Sequence, residues 1–419
     1  MSTLSDAAPV PAHIPLEAVY DFDMRLDPGL LADPHKRVSE LLDKAGGLFW
    51  SPRNGGRWIA LGYPEIYEAA RDPERFSSSL MSGLPKMPPL KAAMTKLMIK
   101  FMRRFPSPKP ITLDPPLHGK FRAPLQKTFS PKAAMARMEE IRTLCDDLID
   151  RVIAQGHCDF IPAIAEPLPV TVFLKMMGLP VERLGEFRAL VHEFLAGTSS
   201  DPLTAAKMIR KVADAMTGEI KARRDNPKDD IISLLWQTEI DGEPMTLELM
   251  EDYCVLLFIA GLDTVINGMG FAVRHLAMNP DLQDKLRAEP ELITEAVEEM
   301  LRRYSFAIPM RRVTKDTVLA GRQLNAGDVM ALFIPGSGLD AREFVSPEQF
   351  DLARETKVHL AFGAGPHRCL GAHLARVELQ VLYQQLLKRL PSWRLDPDKP
   401  AKFHSGNIIA VDSLPIRWD

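Results

Sequence analysis

Apolar residues recur at helical spacing over long stretches of this chain. Met135, Met138, Ile141, Leu144, Leu148 and Val152 form one stripe, Met208, Ile209, Val212, Met216 and Ile220 a second, and Ala296, Val297, Met300, Leu301 and Tyr304 a third. Such i, i+3, i+4 patterns predict amphipathic helices whose apolar stripes face a core. A continuous apolar run, Cys254–Leu262, predicts a buried helix and falls short of the roughly 20 residues a membrane span needs. Strand signals are fewer. Trp58–Leu61 and Val329–Ile334 are the strongest, and Thr317–Ala320 is strand-like. The pattern predicts a mainly α fold with a small β region, part of it within residues 1–80. The 35 prolines are scattered, and neither a fixed repeat nor a low-complexity linker interrupts the chain, so residues 1–419 read as a single domain.

Composition narrows the partners more than the fold. Fifty-two basic against 55 acidic residues leave a formal charge of -3, which carries no global bias toward nucleic acid or an anionic membrane. Cys145, Cys158, Cys254 and Cys369 form no CxxC pair, so neither a disulfide framework nor a structural zinc site is expected. That usage suits a reducing cytoplasm. The first residues lack a basic stretch followed by an apolar one, so no signal peptide is expected, and no transmembrane segment either.

The segment Phe362-Gly363-Ala364-Gly365-Pro366-His367-Arg368-Cys369-Leu370-Gly371 sets one cysteine in a glycine-rich turn, and the residues from His373 onward read as helix. Near a helix N-terminus, unpaired N–H groups and the helix dipole favour a thiolate. Taken alone, such a turn fits either a structural cysteine or a thiolate offered to a metal, and one thiolate suits haem iron better than zinc or an iron–sulfur cluster. The spacing Phe-x-x-Gly-x-His-x-Cys-x-Gly as a whole resembles the haem-binding loop of the cytochrome P-450 family, within 360–372. The resemblance implies one triangular, helix-rich domain binding haem b (iron protoporphyrin IX). Cys369 would be the axial iron ligand, Phe362 would pack near it, and Gly363, Gly365, His367 and Gly371 would line the cofactor.

Other segments extend the likeness over nearly the whole chain. Asp263 and Thr264 interrupt the apolar run after Gly261; a carboxylate there is costly unless paired, and a local helix opening or a simple kink is expected. Ala260-Gly261-Leu262-Asp263-Thr264 resembles the family's oxygen-activation motif, which implies proton delivery by Asp263 and Thr264 during dioxygen cleavage. Glu299 and Arg302, three apart on a helix, can pair; by themselves they read as a surface pair worth about 0–1 kcal/mol. The resemblance implies that they are buried and completed by Arg354. It also implies haem propionate partners at His118, Arg122, Arg311 and His367, and a substrate pocket lined by Leu256, Ile259, Ala260, Phe306, Ala307, Ile308 and Ile408. Within the family, Asn54-Gly55-Gly56-Arg57-Trp58-Ile59-Ala60 and Gly261-Leu262-Asp263-Thr264-Val265-Ile266-Asn267 look like the bacterial camphor hydroxylase subgroup. Residues 82–113 correspond to the variable substrate lid. They lack that subgroup's tyrosine and carry Lys86, Lys91, Lys96, Lys100, Arg103, Arg104 and Lys109 with no acid among these, which reads as a covering helix with solvated charges.

No Gly-x-Gly-x-x-Gly fingerprint in a βαβ context and no cysteine cluster is present, so electrons must come from another protein. The resemblance implies a 2Fe-2S ferredoxin with an FAD-dependent, NAD(P)H-dependent reductase, and Arg122, Arg368 and Arg376 are candidate docking cations. The expected activity is hydroxylation of a small hydrophobic substrate, a terpenoid or norisoprenoid. A peroxide-driven peroxygenase and a noncatalytic haem-binding protein are the alternatives.

Overall fold

The computed structural model describes residues 6–79, 106–196, 202–355 and 358–419. Helices dominate the described residues, in keeping with the mainly α expectation. The chain forms two compact units: residues 1–77, 127–169 and 264–419 in one, and residues 78–126 and 170–263 in the other.

The first unit contains the five-stranded sheet. Its strands run in the order Leu48–Ser51, Arg57–Ala60, Val329–Leu332, Met310–Val313, Phe76–Ser77, with only the second and third parallel. Asn54, Gly55 and Gly56 turn the first hairpin with φ of 54, 86 and 72°, a left-handed run that glycine adopts without strain. Asn54 tolerates it because its side chain is occupied: Nδ2 donates to Asp23 Oδ1 at 2.9 Å and Oδ1 accepts from Met24 N at 3.1 Å. Trp58, Phe76, Met330 and Leu332 are buried in the sheet core with Tyr63, Ile66 and Phe344. The predicted strand Val329–Ile334 ends at Leu332, and Ile334–Ser337 turns into a helix instead. Met310–Val313 is a strand that the sequence pattern did not reveal, as are His157–Asp159 and Trp393–Leu395, which flank Pro415–Trp418.

Helices Met138–Asp150 and Ala372–Arg389 pack together in this unit. Arg389 Nη1 reaches Asp146 Oδ1 at 3.0 Å, and Gln385 Nε2 donates to Asp146 Oδ2 at 3.2 Å. The third apolar stripe is wholly buried, from Ala296 to Tyr304. The first is only partly so: Met135 is exposed, because the chain breaks into two helices between Met135 and Met138 and loses the continuous face.

In the second unit, helix Pro202–Asp225 buries Met208, Val212, Met216 and Ile220. Arg210 makes a two-pronged ion pair with Glu251 at 2.6 and 2.8 Å, and Arg223 Nε reaches Asp230 Oδ2 at 2.6 Å. Asp252, fully buried, accepts from Ser107 N at 2.7 Å and lies 3.2 Å from Lys109 Nζ, which also sits over the Phe121 ring. Lys109 is therefore tethered, contrary to the expectation of solvated charges; the other six basic residues of that segment, Lys86 to Arg104, lie outside the described residues.

Helix Leu247–Met278 is unbroken through Gly261, Asp263 and Thr264, so the expected opening is absent. Leu262, Val265 and Ile266, buried beside the polar pair, hold the ladder closed. Among the described residues this helix alone is long and apolar enough to cross a membrane, and 56% of its most apolar window is buried inside the protein.

Glu378, on helix Ala372–Arg389, is buried, and burial pushes its carboxyl up to about 8 from 4.5 against a lowering influence of Arg137. The folded protein thus holds a proton that the unfolded chain releases. Glu378's contribution to stability is fully present below about pH 4.5 and falls by about 1.4 kcal/mol per unit as pH rises toward 8. Glu378→Gln should abolish that slope, so denaturant unfolding of both proteins from pH 5 to 8 (about 1 unit per step) reads it directly.

Candidate active site

The cysteine loop folds back on itself before the helix begins. Cys369 N donates to Phe362 O at 2.8 Å, Gly363 N to Leu360 O at 2.7 Å, and Arg368 N to Gly365 O at 3.1 Å. Gly365 has φ 67°, and a Cβ there would meet Ala70 O at 2.4 Å and Arg71 Cα at 2.9 Å. Only glycine lets the loop lie on the end of helix Tyr63–Arg71. Gly371 caps the helix that follows, and its own Cβ would sit 3.9 Å from Cys369 Sγ.

The four cysteines separate by environment. Cys145, Cys158 and Cys254 are buried, and burial raises all three thiols, Cys158 to about 12. Cys369 alone is exposed. No group of three or more His, Cys, Asp or Glu that could hold a metal occurs among the described residues. One accessible sulfur on a glycine-permitted turn, with no accompanying ligand set, fits a metal that arrives with its other ligands in place, as haem iron does.

Helix Leu247–Met278 is buried from Glu251 to Phe258 and again from Val265 to Asn267. Between them, Ala260 and Gly261 are exposed and Ile259, Asp263 and Thr264 are half-buried. A two-residue window of small side chains flanked by a carboxylate and a hydroxyl is a surface that a planar ligand and a small oxidant can approach.

The predicted propionate partners lie in different elements. His118 and Arg122 share helix Leu117–Gln126 in the second unit; His118 is buried, and burial with the Arg122 cation lowers its pKa, so it acts as a neutral N–H donor at pH 7. Arg311 stands in strand Met310–Val313 of the first unit, buried, with Nη1 donating to Met310 O at 2.8 Å. His367 closes the short 3-10 turn of the cysteine loop. Of the pocket residues, Leu256 is buried on the second unit's part of the long helix. In the first unit, Ala307 bridges Ile408, Ile308 N donates to Asn407 O at 2.9 Å, and Ile409 N donates to Phe306 O at 2.8 Å, so Phe306, Ala307, Ile308 and Ile408 are brought together.

Glu299, Arg302 and Arg354 form the buried cluster expected of them. Arg302 donates twice to Glu299 at 2.8 Å, and Arg354 Nε donates to both carboxylate oxygens at 3.1 and 3.2 Å. The remaining donors are consumed by backbone: Arg302 by Gly338, Pro347 and Gln349, and Arg354 by Val345 and Gln349. Reading Glu299–Arg302 alone as a surface pair is thereby corrected, since the third partner and four backbone carbonyls take both cations out of water.

Glu298, the preceding residue, was not singled out by sequence. It takes Arg376 in two hydrogen bonds at 2.5 and 2.8 Å and lies 3.2 Å from His359 Nε2. Arg376, one of the candidate docking cations, is thus paired within the unit. The pairing spans 78 residues, so no local spacing could announce it.

Comparison with known proteins gives the family. The cytochrome P450 family profile matches residues 173–418. "Probable cytochrome P450 127A1" of Sinorhizobium fredii is 32% identical over 422 residues, covering 98% of this chain and 97% of the relative. A steroid C26-monooxygenase of Mycobacterium tuberculosis is 34% identical over 374 residues, 86% of this chain and 94% of the relative. The crystal structures of CYP101J2 and CYP101C1, of the camphor-type subgroup, superpose with TM-scores of 0.84 and 0.85 at 31% identity, each covering 98% of this chain and 100% of theirs. This chain belongs to the cytochrome P450 family. It is a haem-thiolate monooxygenase whose cofactor is haem b.

Removing one cation from the Glu299 cluster strands a buried charge, which typically costs about 3–5 kcal/mol. Arg354→Ala should lower unfolding stability by about that amount and reduce haem content per chain. A loss below about 1 kcal/mol by denaturant titration would mean that the cluster behaves as an exposed pair.

Proposed function

We propose that this cytochrome P450 hydroxylates a compact hydrophobic substrate, a terpenoid or norisoprenoid, using O2 and two electrons from a ferredoxin and its FAD-dependent reductase in the cytoplasm. The observation that carries the reading is Cys369, exposed on a turn clasped by its own N–H to Phe362 O while every other thiol is buried. Haem b, when bound, supplies dioxygen activation: one oxygen atom enters a C–H bond and the other leaves as water, at the cost of two electrons and two protons.

The chain's residues divide the remaining work. Cys369 Sγ, as thiolate, would hold the iron, on a loop whose turn Gly363 and Gly365 permit with φ of 69 and 67°. His118, Arg122, Arg311 and His367 would bind the propionates, the arginines through charge-assisted donation. Ala260 and Gly261, small and exposed on the long helix, would admit dioxygen and substrate. Asp263 and Thr264 would move protons toward the oxygen that leaves as water, and the O2 route, which consumes two protons from outside, has more use for such a pair than a peroxide-driven route, whose protons arrive with the peroxide.

Leu256, Ile259, Ala260, Phe306, Ala307, Ile308 and Ile408 offer hydrocarbon and no formal charge, which suits a substrate held by shape. The relative named for steroid C26 oxidation places fused-ring terpenoids in the same test panel as monoterpenes. Arg122, the exposed Arg368 and, through the face its pairing with Glu298 leaves open, Arg376 are the proposed contacts for an acidic ferredoxin.

The test is the carbon monoxide difference spectrum of the reduced protein beside Cys369→Ser. A strongly red-shifted Soret band, lost in the variant, is expected; its absence from fully haem-loaded wild type would overturn the reading. With substrate found, Thr264→Ala should lower product per electron pair by about tenfold or more while substrate affinity stays within about twofold. Arg368→Glu should slow ferredoxin-supported reduction at low salt, and the difference from wild type should shrink as ionic strength rises.

A further inference from the structure

Two adjacent glutamates leave one helix, Ile293–Arg303, in different directions, since successive residues are about 100° apart around the axis. Glu299 gathers Arg302 and Arg354. Glu298 gathers a second set that leads to the cysteine loop. Arg376, on the helix after the loop, donates Nε to Glu298 Oε1 at 2.5 Å and Nη2 to Oε2 at 2.8 Å, and Nη1 reaches Ala372 O at 3.4 Å. Held by that fork, its guanidinium carbon lies 4.6 Å from the centroid of the Phe362 ring, within cation–π range.

His359 closes the set from the other side. Its Nδ1 accepts from Ala361 N at 3.2 Å, so the ring proton is on Nε2, which donates to Glu298 Oε2 at 3.2 Å. The ring centroid of His359 is 6.2 Å from that of Phe362. Phe362 is therefore fixed at its ring by a cation and preceded by a residue tied to the same carboxylate. Its carbonyl receives the N–H of Cys369 at 2.8 Å. Burial raises the Glu298 carboxyl, but the Arg376 and His359 hydrogen bonds bring it down to about 2, so it is ionised at every working pH.

We propose that Glu298 and Arg376 are positioning residues for the thiolate: the pair clamps Phe362, and the balance of its two charges sets the reduction potential of the iron that Cys369 holds. The inference rests on Cys369 being the haem ligand. Reduction adds one electron to an iron–thiolate centre. A nearby cation left without its carboxylate stabilises that added charge, and a carboxylate left without its cation opposes it. The pair's two halves should thus act with opposite sign.

The test is spectroelectrochemical titration of substrate-free, haem-loaded protein. Glu298→Gln should move the midpoint to a more positive potential and Arg376→Gln to a more negative one, while the double variant returns toward wild type. Arg376→Lys keeps the charge without the fork and should lie closer to wild type than Arg376→Gln does. Shifts of the same sign in both single variants, or none, would overturn the proposal, because loosening the loop has no reason to reverse direction. If either glutamine variant fails to retain haem, the lysine variant decides: a potential as low as that expected of charge removal would overturn it. The carbon monoxide spectrum of each sample separates failures. A wild type lacking the red-shifted band defeats the haem-thiolate assignment itself, whereas a normal band with unmoved potentials defeats only the role of the pair.

Discussion

The carboxylate of Glu299 is the point on which much of the first unit hangs. It accepts from two guanidinium groups and from Asp351 N at 3.0 Å, and those guanidiniums in turn bind carbonyls at Gly338, Val345, Pro347 and Gln349. An irregular stretch with few ladder bonds of its own is thereby given a hydrogen-bonded frame. Each of these cations would be expensive to bury alone; together with the carboxylate and the peptide oxygens they are satisfied. The same helix carries Glu298, so one rigid element sets both the meandering segment and the cysteine loop.

Packing and chemistry make contrary demands on the long helix Leu247–Met278. Most of its length is sealed in apolar contact, and such a surface tolerates neither charge nor gaps. At Ala260 and Gly261 the side chains shrink, and the helix meets solvent beside Asp263 and Thr264. Small residues there cost little helical propensity at Ala and about 1 kcal/mol at Gly. The buried residues on either side supply that cohesion, which is why the ladder stays regular where the sequence suggested a break.

Legibility from sequence followed the range of the interaction. The cysteine loop was readable because its determinants, Phe362 to Gly371, are contiguous and each spacing has a local physical reason. The stripes at Met208–Ile220 and Ala296–Tyr304 were readable because helical periodicity is itself local. Strands Met310–Val313 and His157–Asp159 were not: they are short, and their pairing partners come from distant parts of the chain. Arg376 shows the limit most clearly, since its sequence context says only that it is basic and near Cys369, and its partner lies on another helix. Lys109 was misread for the same reason, its counter-charge Asp252 being remote in sequence.

The distribution of thiols has a consequence for the life of the molecule outside turnover. Three thiols are sealed in the core with their ionisation suppressed, so a thiol-directed electrophile meeting the bare polypeptide finds one cysteine. That target is the ligand itself. Thiol damage and loss of cofactor capacity are then a single event, and the arrival of haem doubles as a protecting step for the one exposed thiol.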